Sequence, residues 1–349
     1  MSPPAAARPR VVLLEPMYHP AGMDALRGPC ELVVLEHPVD PATLEAALAG
    51  AHALAPRYPH RVDDALLARA PKLVVVACSG RGTDAVDLEA ATRRGVAVVN
   101  NPGFGRRPVS ETAIALMLAL AKRIVPSDRF MREGVGWRHR TDYERFVDLD
   151  GRTLGVVGMG EIGTETARKA IAAFSMRVLA YDPHVPRERI EAVGAHPVGH
   201  LDELLRAADV VSLHPELNEE TRGMIGDREL GLMKPTAFLV NTSRGKVVRQ
   251  DALARALREG RIAGAALDVY EDEPVGADSP LIGLDGIVLT PHVAGLSADA
   301  VRGMSLSTAR QVLQALSGRR PDHLLDPRAW DAAAGRAAGL GFRYEGEWP

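Results

Sequence analysis

The chain has 349 residues, a length that predicts about two domains, each large enough to bury a core of its own. Hydrophobic residues make up 46% of it and charged residues 25%, as in an ordinary soluble globular protein. The net charge of −3 gives no electrostatic basis for binding nucleic acid or an anionic membrane, and two cysteines, Cys30 and Cys78, are too few for a disulfide framework or a metal cluster, so we expect a cytoplasmic protein.

The first ten residues, MSPPAAARPR, have no apolar core of a signal peptide and predict a frayed tail. After them, short apolar runs alternate with helical patterns as far as Val99. Continuous valine-rich runs between helices are typical of parallel strands covered on both faces, so this part predicts one α/β unit. Its predicted strands are residues 11–14, 32–35, 73–77 and 96–99, and its helices include residues 41–49 and 63–70.

The loop after the third of these strands reads Cys78-Ser79-Gly80-Arg81-Gly82-Thr83. It lies at the carboxyl end of a strand, which is where open α/β sheets bind ligands. Gly80 and Gly82 would expose backbone N–H groups to an anion. On these residues alone, a plain glycine turn is an equally good interpretation.

A long apolar helix is predicted to begin near Pro108, after the break at Asn100-Asn101-Pro102-Gly103, and to reach about Val125. Its longest apolar run has nine residues, 113–121, whereas a membrane span needs about 20. A helix this apolar must be covered on several sides, either in a core or at a subunit interface. We favour the interface and expect a homodimer.

Residues 153–182 carry a nucleotide-binding pattern. An apolar run is followed by Gly158, Gly160 and Gly163, a helix through Phe174, and a second apolar run closed by Asp182. The glycines permit a sharp turn, a close approach to a pyrophosphate and close helix packing, and the helix N-terminus favours the anion. A carboxylate 24 residues after Gly158 suits a ribose 2′-hydroxyl and repels a 2′-phosphate, which favours NAD over NADP. The alternative for Asp182 is a turn residue before Pro183.

The rest of the chain predicts more buried strands, each followed by a polar motif. The motifs are NTSRG with Arg244, DVYEDEP with Asp268 and Glu273, and TPHVAG with His292. They place an arginine, acids and a histidine at the carboxyl ends of a sheet whose first turn would hold NAD. The predicted strands are residues 210–213, 237–241, 263–268 and 288–290, the helices include residues 250–259 and 297–317, and a tryptophan-bearing tail follows.

These residue types suit hydride transfer to a 2-oxo acid. The carbonyl oxygen gains negative charge, which the planar cation of Arg244 would stabilise while it binds the carboxylate. A proton must follow the hydride, and His292 titrates near neutral pH. Glu273 would orient that imidazole and raise its pKa. On spacing alone, each of the three could instead be a solvated charge or an ordinary loop residue.

The ordered set of motifs resembles the D-isomer-specific 2-hydroxyacid dehydrogenases. The set is GMGEIG, YDP, NTSRG, DVYEDEP and TPHVAG, preceded by SGRGTDAVDLEAATRRGVAVVNNPG, and the resemblance covers about residues 10–330. It implies a Rossmann-type doubly wound parallel sheet for NAD over residues 104–295, with a dimerisation helix at 109–125. It also implies a smaller flavodoxin-like α/β substrate domain, discontinuous over residues 1–103 and 296–349, with hinges near Pro102 and Gly295.

The resemblance also implies a role for each matching residue. Arg244, Glu273 and His292 match catalytic residues, Asp268 matches the residue that meets the nicotinamide carboxamide, and Asp182 matches the ribose ligand. No metal is expected. The cofactor set is Gly158, Met159, Gly160, Glu161, Ile162, Gly163, Asp182, His214, Thr242, Asp268, His292 and Gly295, and the substrate set is Ser79, Gly80, Arg81, Gly82 and Arg244.

Three positions depart from the family pattern. His214-Pro215-Glu216-Leu217 replaces His-x-Pro-Leu, and Gly105 stands where asparagine is common. Arg81 replaces a small or hydroxyl residue. One hypothesis is that Arg81, with Arg106, meets a second anionic or polyhydroxyl group of the substrate; a solvated arginine is the alternative.

Two functions from different classes fit these residues. The first is an NAD-dependent dehydrogenase that interconverts a D-2-hydroxy acid and its 2-oxo acid. The second is an NADH-responsive corepressor or scaffold of the same fold, which could retain all three catalytic residues. Formate or phosphite oxidation is a weaker third possibility, since formate enzymes carry a longer segment before the first strand.

Overall fold

The computed structural model describes residues 8–57, 60–141 and 143–349, so most of the predicted N-terminal tail, residues 1–7, lies outside the described residues. The strands in chain order are β1 (Arg10–Leu14), β2 (Glu31–Leu35), β3 (Ala53–Pro56), β4 (Val75–Ala77), β5 (Ala97–Val99), β6 (Thr153–Val157), β7 (Arg177–Tyr181), β8 (His196–Pro197), β9 (Val210–Leu213), β10 (Phe238–Asn241), β11 (Gly264–Leu267) and β12 (Ile287–Leu289). The helices are α1 (Pro20–Arg27), α2 (Pro41–Ala49), α3 (Asp64–Ala68), α4 (Leu88–Arg93), α5 (Arg106–Ala121), α6 (Ile124–Arg132), α7 (Glu161–Phe174), α8 (Arg187–Glu191), α9 (Leu201–Ala207), α10 (Asp227–Leu232), α11 (Gln250–Arg258), α12 (Ala298–Leu316) and α13 (Trp330–Leu340). The chain divides into two compact units, residues 1–105 with 296–349, and residues 106–295.

The first unit contains a five-stranded parallel sheet in the order β2-β1-β3-β4-β5. Alternate residues of β1 enter different cores, Val12 and Leu14 on one face and Val11 and Leu13 on the other. Both faces are therefore covered, as the valine-rich runs predicted. The strand order is that of flavodoxin-like folds, which confirms this part of the predicted fold class.

The second unit contains a seven-stranded parallel sheet in the order β12-β11-β10-β9-β6-β7-β8. Strand order reverses between β6 and β9, which pair in parallel along Leu154–Val157 and Val210–Leu213. The sheet is buried on both faces, since Val156 and Val157 belong to different hydrophobic clusters. This is the predicted doubly wound Rossmann arrangement, and ligands bind such sheets at the carboxyl side of the reversal.

The long apolar helix was predicted with the wrong limits. It begins earlier, at Arg106, and ends at Ala121; the backbone then turns at Arg123, whose φ is +47°, before α6 begins. A residue in the left-handed region cannot continue an α-helix, so the chain changes direction there. No helix among the described residues combines the length and apolarity needed to cross a bilayer.

Candidate active site

The glycine turn lies at the reversal of strand order. Gly158 follows β6 with φ +90°, and a Cβ there would lie 2.8 Å from the carbonyl carbon of His214. A Cβ on Gly163 would lie 1.9 Å from the carbonyl oxygen of Gly158, so the first turn of α7 packs directly on the loop. At Gly160, by contrast, a Cβ would meet nothing within 4 Å. The open side of the turn therefore fits the approach of a pyrophosphate.

Asp182, at the end of β7, is held against this turn. Its Oδ2 accepts a hydrogen bond from the amide of Met159 at 2.7 Å, and its Oδ1 accepts one from the amide of His184 at 2.9 Å. Each carboxylate oxygen has a further lone pair for a ribose hydroxyl. The helix α7 begins directly after Gly160, and its first two residues are Glu161, which is exposed, and Ile162. The Glu161 carboxylate adds negative charge where the helix N-terminus would otherwise favour an anion.

Two buried side-chain atoms after the strands β9 and β10 lack hydrogen-bond partners among the described residues. They are Nδ1 of His214, after β9, and Oγ1 of Thr242, after β10, which form no hydrogen bond to the described residues. The other ring nitrogen of His214 lies 2.9 Å from Oγ of Ser212, and burial lowers the pKa of His214 to about 4, so the ring is neutral. Buried polar groups are normally satisfied. Together with the glycine turn and Asp182, these two atoms fit a nicotinamide dinucleotide with polar groups of its own.

His292 and Glu273, which the sequence predicts as an acid–base pair, lie within hydrogen-bonding distance of each other. Nδ1 of His292 lies 2.8 Å from Oε2 of Glu273, whose Oε1 accepts a hydrogen bond from the amide of Tyr270 at 3.0 Å. The hydrogen bond to Glu273 raises the pKa of His292. Burial alone would raise the pKa of Glu273, but the hydrogen bond from His292 lowers it overall. His292 has a φ of +54°, a strained value of the kind that clusters at functional sites.

Asp268 fixes the loop that carries His292, a contact that sequence reasoning missed. Its Oδ1 accepts hydrogen bonds from Oγ1 of Thr290 at 2.6 Å and the amide of Val293 at 2.9 Å, and its Oδ2 accepts one from the amide of Ala294 at 2.8 Å. The residue is 1% exposed. A buried carboxylate is stable only when hydrogen-bonded in this way, so Asp268 sets the course of the loop.

Arg244 lies shortly after β10, and hydrogen bonds within the NTSRG motif fix its position. Its carbonyl oxygen accepts a hydrogen bond from the side-chain amide of Asn241 at 2.9 Å, and its Nη1 donates to the carbonyl of Ser243 at 2.8 Å. The charge of Arg244 is one of the contributions that lower the pKa of Glu273, and it opposes the rise in the pKa of His292. The structure thus brings Arg244, Glu273 and His292 close enough to influence one another.

The predicted substrate loop belongs to the first unit. Ser79, Gly80, Arg81 and Gly82 follow β4 after one intervening residue, Cys78, at the carboxyl edge of its sheet. Gly295 is the last residue of the second unit, where a Cβ would lie 3.8 Å from the side chain of Val109. Within the described chain, no three His, Cys, Asp or Glu side chains are grouped to hold a metal ion.

A doubly wound parallel sheet with a glycine turn at the reversal of strand order is typical of the class of dinucleotide-binding proteins. Sequence comparison narrows the class to one family. Residues 114–294 match the family model described as D-isomer specific 2-hydroxyacid dehydrogenase, NAD binding domain. The chain belongs to the D-isomer-specific 2-hydroxyacid dehydrogenases and is an enzyme of that family, which confirms the resemblance.

Relatives match nearly the whole chain. A glyoxylate reductase from Aeropyrum pernix is 39% identical over 325 residues, which cover 91% of this chain and 96% of the relative. A crystal structure of a Thermus thermophilus protein is 36% identical with a TM-score of 0.82, and covers 91% of this chain and 100% of its own. The NADPH-dependent glyoxylate/hydroxypyruvate reductase of Sinorhizobium meliloti, solved with NADP and malonate, is 27% identical with a TM-score of 0.81, and covers 98% and 100%.

Proposed function

We propose that this enzyme interconverts a small D-2-hydroxy acid and its 2-oxo acid with NAD as the cofactor. The observation that carries the proposal is the 2.8 Å contact between His292 and Glu273, with Arg244 near enough to affect the pKa values of both. A titratable pair and a permanent cation are what proton-coupled reduction of a carbonyl requires. Small 2-oxo acids are supported by the name of the Aeropyrum pernix relative, a glyoxylate reductase.

Arg244 binds the substrate in this mechanism. Its planar guanidinium holds the carboxylate and the carbonyl oxygen of the 2-oxo acid, and it stabilises the negative charge that develops on that oxygen during reduction. The hydrogen bonds from Asn241 and to Ser243 fix the backbone and one end of the guanidinium. Less reorganisation is then needed when the substrate binds.

His292 supplies the proton. During reduction its imidazolium donates a proton from Nε2 to the carbonyl oxygen, because Nδ1 is held by Glu273. In the oxidation of the hydroxy acid, the neutral imidazole removes the hydroxyl proton. Glu273 stabilises the charged form, and Asp268 holds the loop on which the imidazole stands.

The second unit is assigned to NAD, whose nicotinamide supplies or accepts the hydride when it is bound. The glycine turn at Gly158–Gly163 would hold the pyrophosphate, and Asp182 would hold the adenosine ribose. NAD is preferred over NADP because the Asp182 carboxylate would repel a 2′-phosphate. His214 and Thr242, with their unpartnered buried atoms, are the next candidates for contacts with the dinucleotide.

The first unit is assigned to the substrate. Backbone amides of the loop Ser79–Gly82 would bind the carboxylate, in the manner of an anion-binding nest. Arg81 and Arg106 are kept as candidates for a second polar group on the substrate. We propose a cytoplasmic protein, in line with two buried cysteines that form no disulfide.

A homodimer is proposed from the surface next to α5. Six of the twelve exposed large hydrophobic side chains of the described residues lie within residues 124–146, and Trp137 is 73% exposed. Clustered exposed apolar residues mark interaction sites, and a second copy would extend the cover of α5. These six form the apolar segment: Ile124, Val125, Met131, Val135, Trp137 and Phe146.

The test is a substrate panel followed by NADH absorbance. The purified enzyme is assayed with glyoxylate, hydroxypyruvate, pyruvate and phenylpyruvate in the presence of NADH, and the configuration of each chiral product is determined. We expect turnover with at least one oxo acid and only the D-product. A protein that binds NADH but reduces none of a broad panel would favour the corepressor or scaffold.

A further inference from the structure

A buried network of uncharged polar side chains lies beneath the loop Ser79–Gly82. Asn101 is 1% exposed, Thr308 is 2% exposed and Gln311 is 0% exposed. All belong to the first unit, Asn101 shortly after β5 and the other two on α12. Burying uncharged polar groups is unfavourable unless their hydrogen bonds are made. Such a network therefore stabilises one arrangement of the chain segments that it connects.

Four consecutive carbonyl oxygens of the loop accept hydrogen bonds from two adjacent asparagines. The contacts are Asn101 Nδ2 with Cys78 O (2.7 Å) and with Ser79 O (3.2 Å), the Asn101 amide with Gly80 O (2.9 Å), and Asn100 Nδ2 with Arg81 O (2.7 Å). In a planar trans peptide the carbonyl of one residue and the amide of the next point in opposite directions. The amides of residues 79–82 are therefore all directed away from the asparagines.

Three of the amides turned away in this manner are available to a ligand. Those of Ser79, Gly80 and Gly82 donate no hydrogen bond to any residue that the structure describes. Successive backbone N–H groups on one side of a loop form an anion-binding concavity. Neither glycine has a side chain to obstruct it, and a Cβ on Gly80 would meet nothing within 4 Å.

The asparagine that directs the loop is itself fixed from α12. Oδ1 of Asn101 accepts from Nε2 of Gln311 at 3.2 Å, and its Nδ2 lies 2.8 Å from Oγ1 of Thr308. Gln311 Nε2 also donates to the carbonyl of Asn100 at 2.9 Å, and its Oε1 accepts from the amide of His323 at 2.9 Å. The orientation of the Asn101 amide is thus determined on both of its ends.

We propose that Asn101, oriented by Gln311 and Thr308, is the positioning residue for binding of the substrate carboxylate. It does not touch the substrate; it sets the direction of the loop amides that do. The inference rests on the proposed function, in which those amides bind a 2-oxo acid. A preformed set of donors holds the carboxylate in the ground state and the transition state alike, so its loss raises KM more than it lowers kcat.

The first experiment compares Asn101→Ala with the wild-type enzyme on the best 2-oxo acid of the panel. We expect KM to rise about 10- to 100-fold, with kcat changed much less and the Kd of NADH within about twofold. The Kd of oxalate for the enzyme–NADH complex should rise in parallel. A folded variant with an unchanged KM and an unchanged oxalate Kd would overturn the inference.

A second variant decides the question if Asn101→Ala does not fold. Gln311→Met keeps the shape of the side chain and removes its hydrogen bonds, and we expect KM to rise about threefold or more. Gln314→Met is the matched control on α12, since the Gln314 side chain forms its hydrogen bonds, among the described residues, with Asp322 at the surface. The KM of this control variant should not change. An unchanged KM in Gln311→Met contradicts the inference. If wild-type enzyme reduces no 2-oxo acid, the proposed function itself has failed, and the two failures are distinguishable.

Discussion

The Nδ1 atom of His292 and the Oε2 atom of Glu273 lie 2.8 Å apart, although 19 residues separate them in the chain. Glu273 is fixed in turn by the amide of Tyr270, and the backbone beyond His292 is fixed by Asp268. The imidazole is thereby held in one orientation, with Nε2 left for proton transfer. Its raised pKa keeps it protonated at higher pH than an ordinary histidine.

Glu273→Gln should move the pH profile of the reaction. Reduction needs protonated His292, so kcat/KM is high at low pH and falls as pH rises through the raised pKa. Removing the carboxylate lowers that pKa, and the fall moves to lower pH. We expect a loss of about tenfold in kcat/KM for reduction at about pH 8. In the oxidation direction, which needs neutral His292, the rise with pH should also begin at lower pH.

Glu271→Gln is the control for this prediction. Glu271 lies two residues away, and its carboxylate accepts from the amide of Gln250 at 3.2 Å. Its pH profile should match that of the wild-type enzyme. A Glu273→Gln profile that also matches would mean that Glu273 does not set the pKa of His292.

Asp182→Asn should weaken the preference for NAD. The asparagine oxygen can still accept from the amide of Met159 in the glycine turn, although the amide of His184 loses its acceptor, and the negative charge is removed. We expect kcat/KM with NADPH to rise, and the ratio of NADH to NADPH activity to fall about tenfold or more. Steady-state kinetics with both cofactors measure the ratio. Asp285→Asn, an exposed acid elsewhere in the second unit, should leave it unchanged.

Trp137→Glu should weaken self-association. A charge within the apolar segment would be buried without a partner in a dimer that covers this surface, which costs several kcal/mol. Sedimentation velocity should show a dimer for the wild-type chain and a monomer, or a dimer with at least about tenfold higher Kd, for the variant. Ile282→Glu is the control, since Ile282 is 50% exposed and lies outside the segment. Equal association of both variants would exclude the segment as the dimer interface.

Arg336→Met should destabilise the chain. On α13, the guanidinium donates to three main-chain carbonyls, those of Leu73, Arg94 and Gly95, and so joins this helix to the ends of two strand connections. Loss of charged donors from partly buried carbonyls costs about 2 kcal/mol or more in the free energy of unfolding. A lower urea midpoint should result, whereas Arg302→Met, at an exposed position on α12, should leave it unchanged. Equal midpoints for the two variants would show that the contact contributes nothing measurable.

The parts of the fold that follow the common patterns were predictable from sequence. Valine-rich runs located β1, β5 and β9 to within about one residue, because a strand buried on both faces has to be continuously apolar. β3 was missed because its sequence, ALAP, has low strand propensity; its place between β1 and β4 makes it a strand. Pro126, three residues after Arg123, is the nearest signal in the sequence; it lies in the first turn of α6, where proline is tolerated, and so does not mark the break itself.

The helices that were missed have weak signals of their own. α13 reads WDAAAGRAAGL, and alanine and glycine give little periodicity to detect. The helices α1 and α4 were not assigned either, being short segments between strands.

In the site, the motifs predicted that Glu273 and His292 lie together, but not what holds them in place. Arg244, Glu273 and His292 come from three strand ends that a parallel sheet brings to one edge. The contacts of Asp268 with the His292 loop depend on the path of that loop, and the buried position of Gln311 depends on how α12 packs. In the sequence, Gln311 resembles any polar residue on an amphipathic helix.

The most direct test of the central claim is a single-turnover measurement on His292→Gln, with enzyme–NADH mixed rapidly against the preferred 2-oxo acid. We predict that the Kd of NADH is unchanged and that the rate constant for NADH oxidation falls about 10²- to 10⁴-fold, because the carbonyl oxygen has lost its proton donor. A variant that oxidises NADH in the first turnover as fast as the wild-type enzyme would contradict the assignment of His292 and, with it, the mechanism.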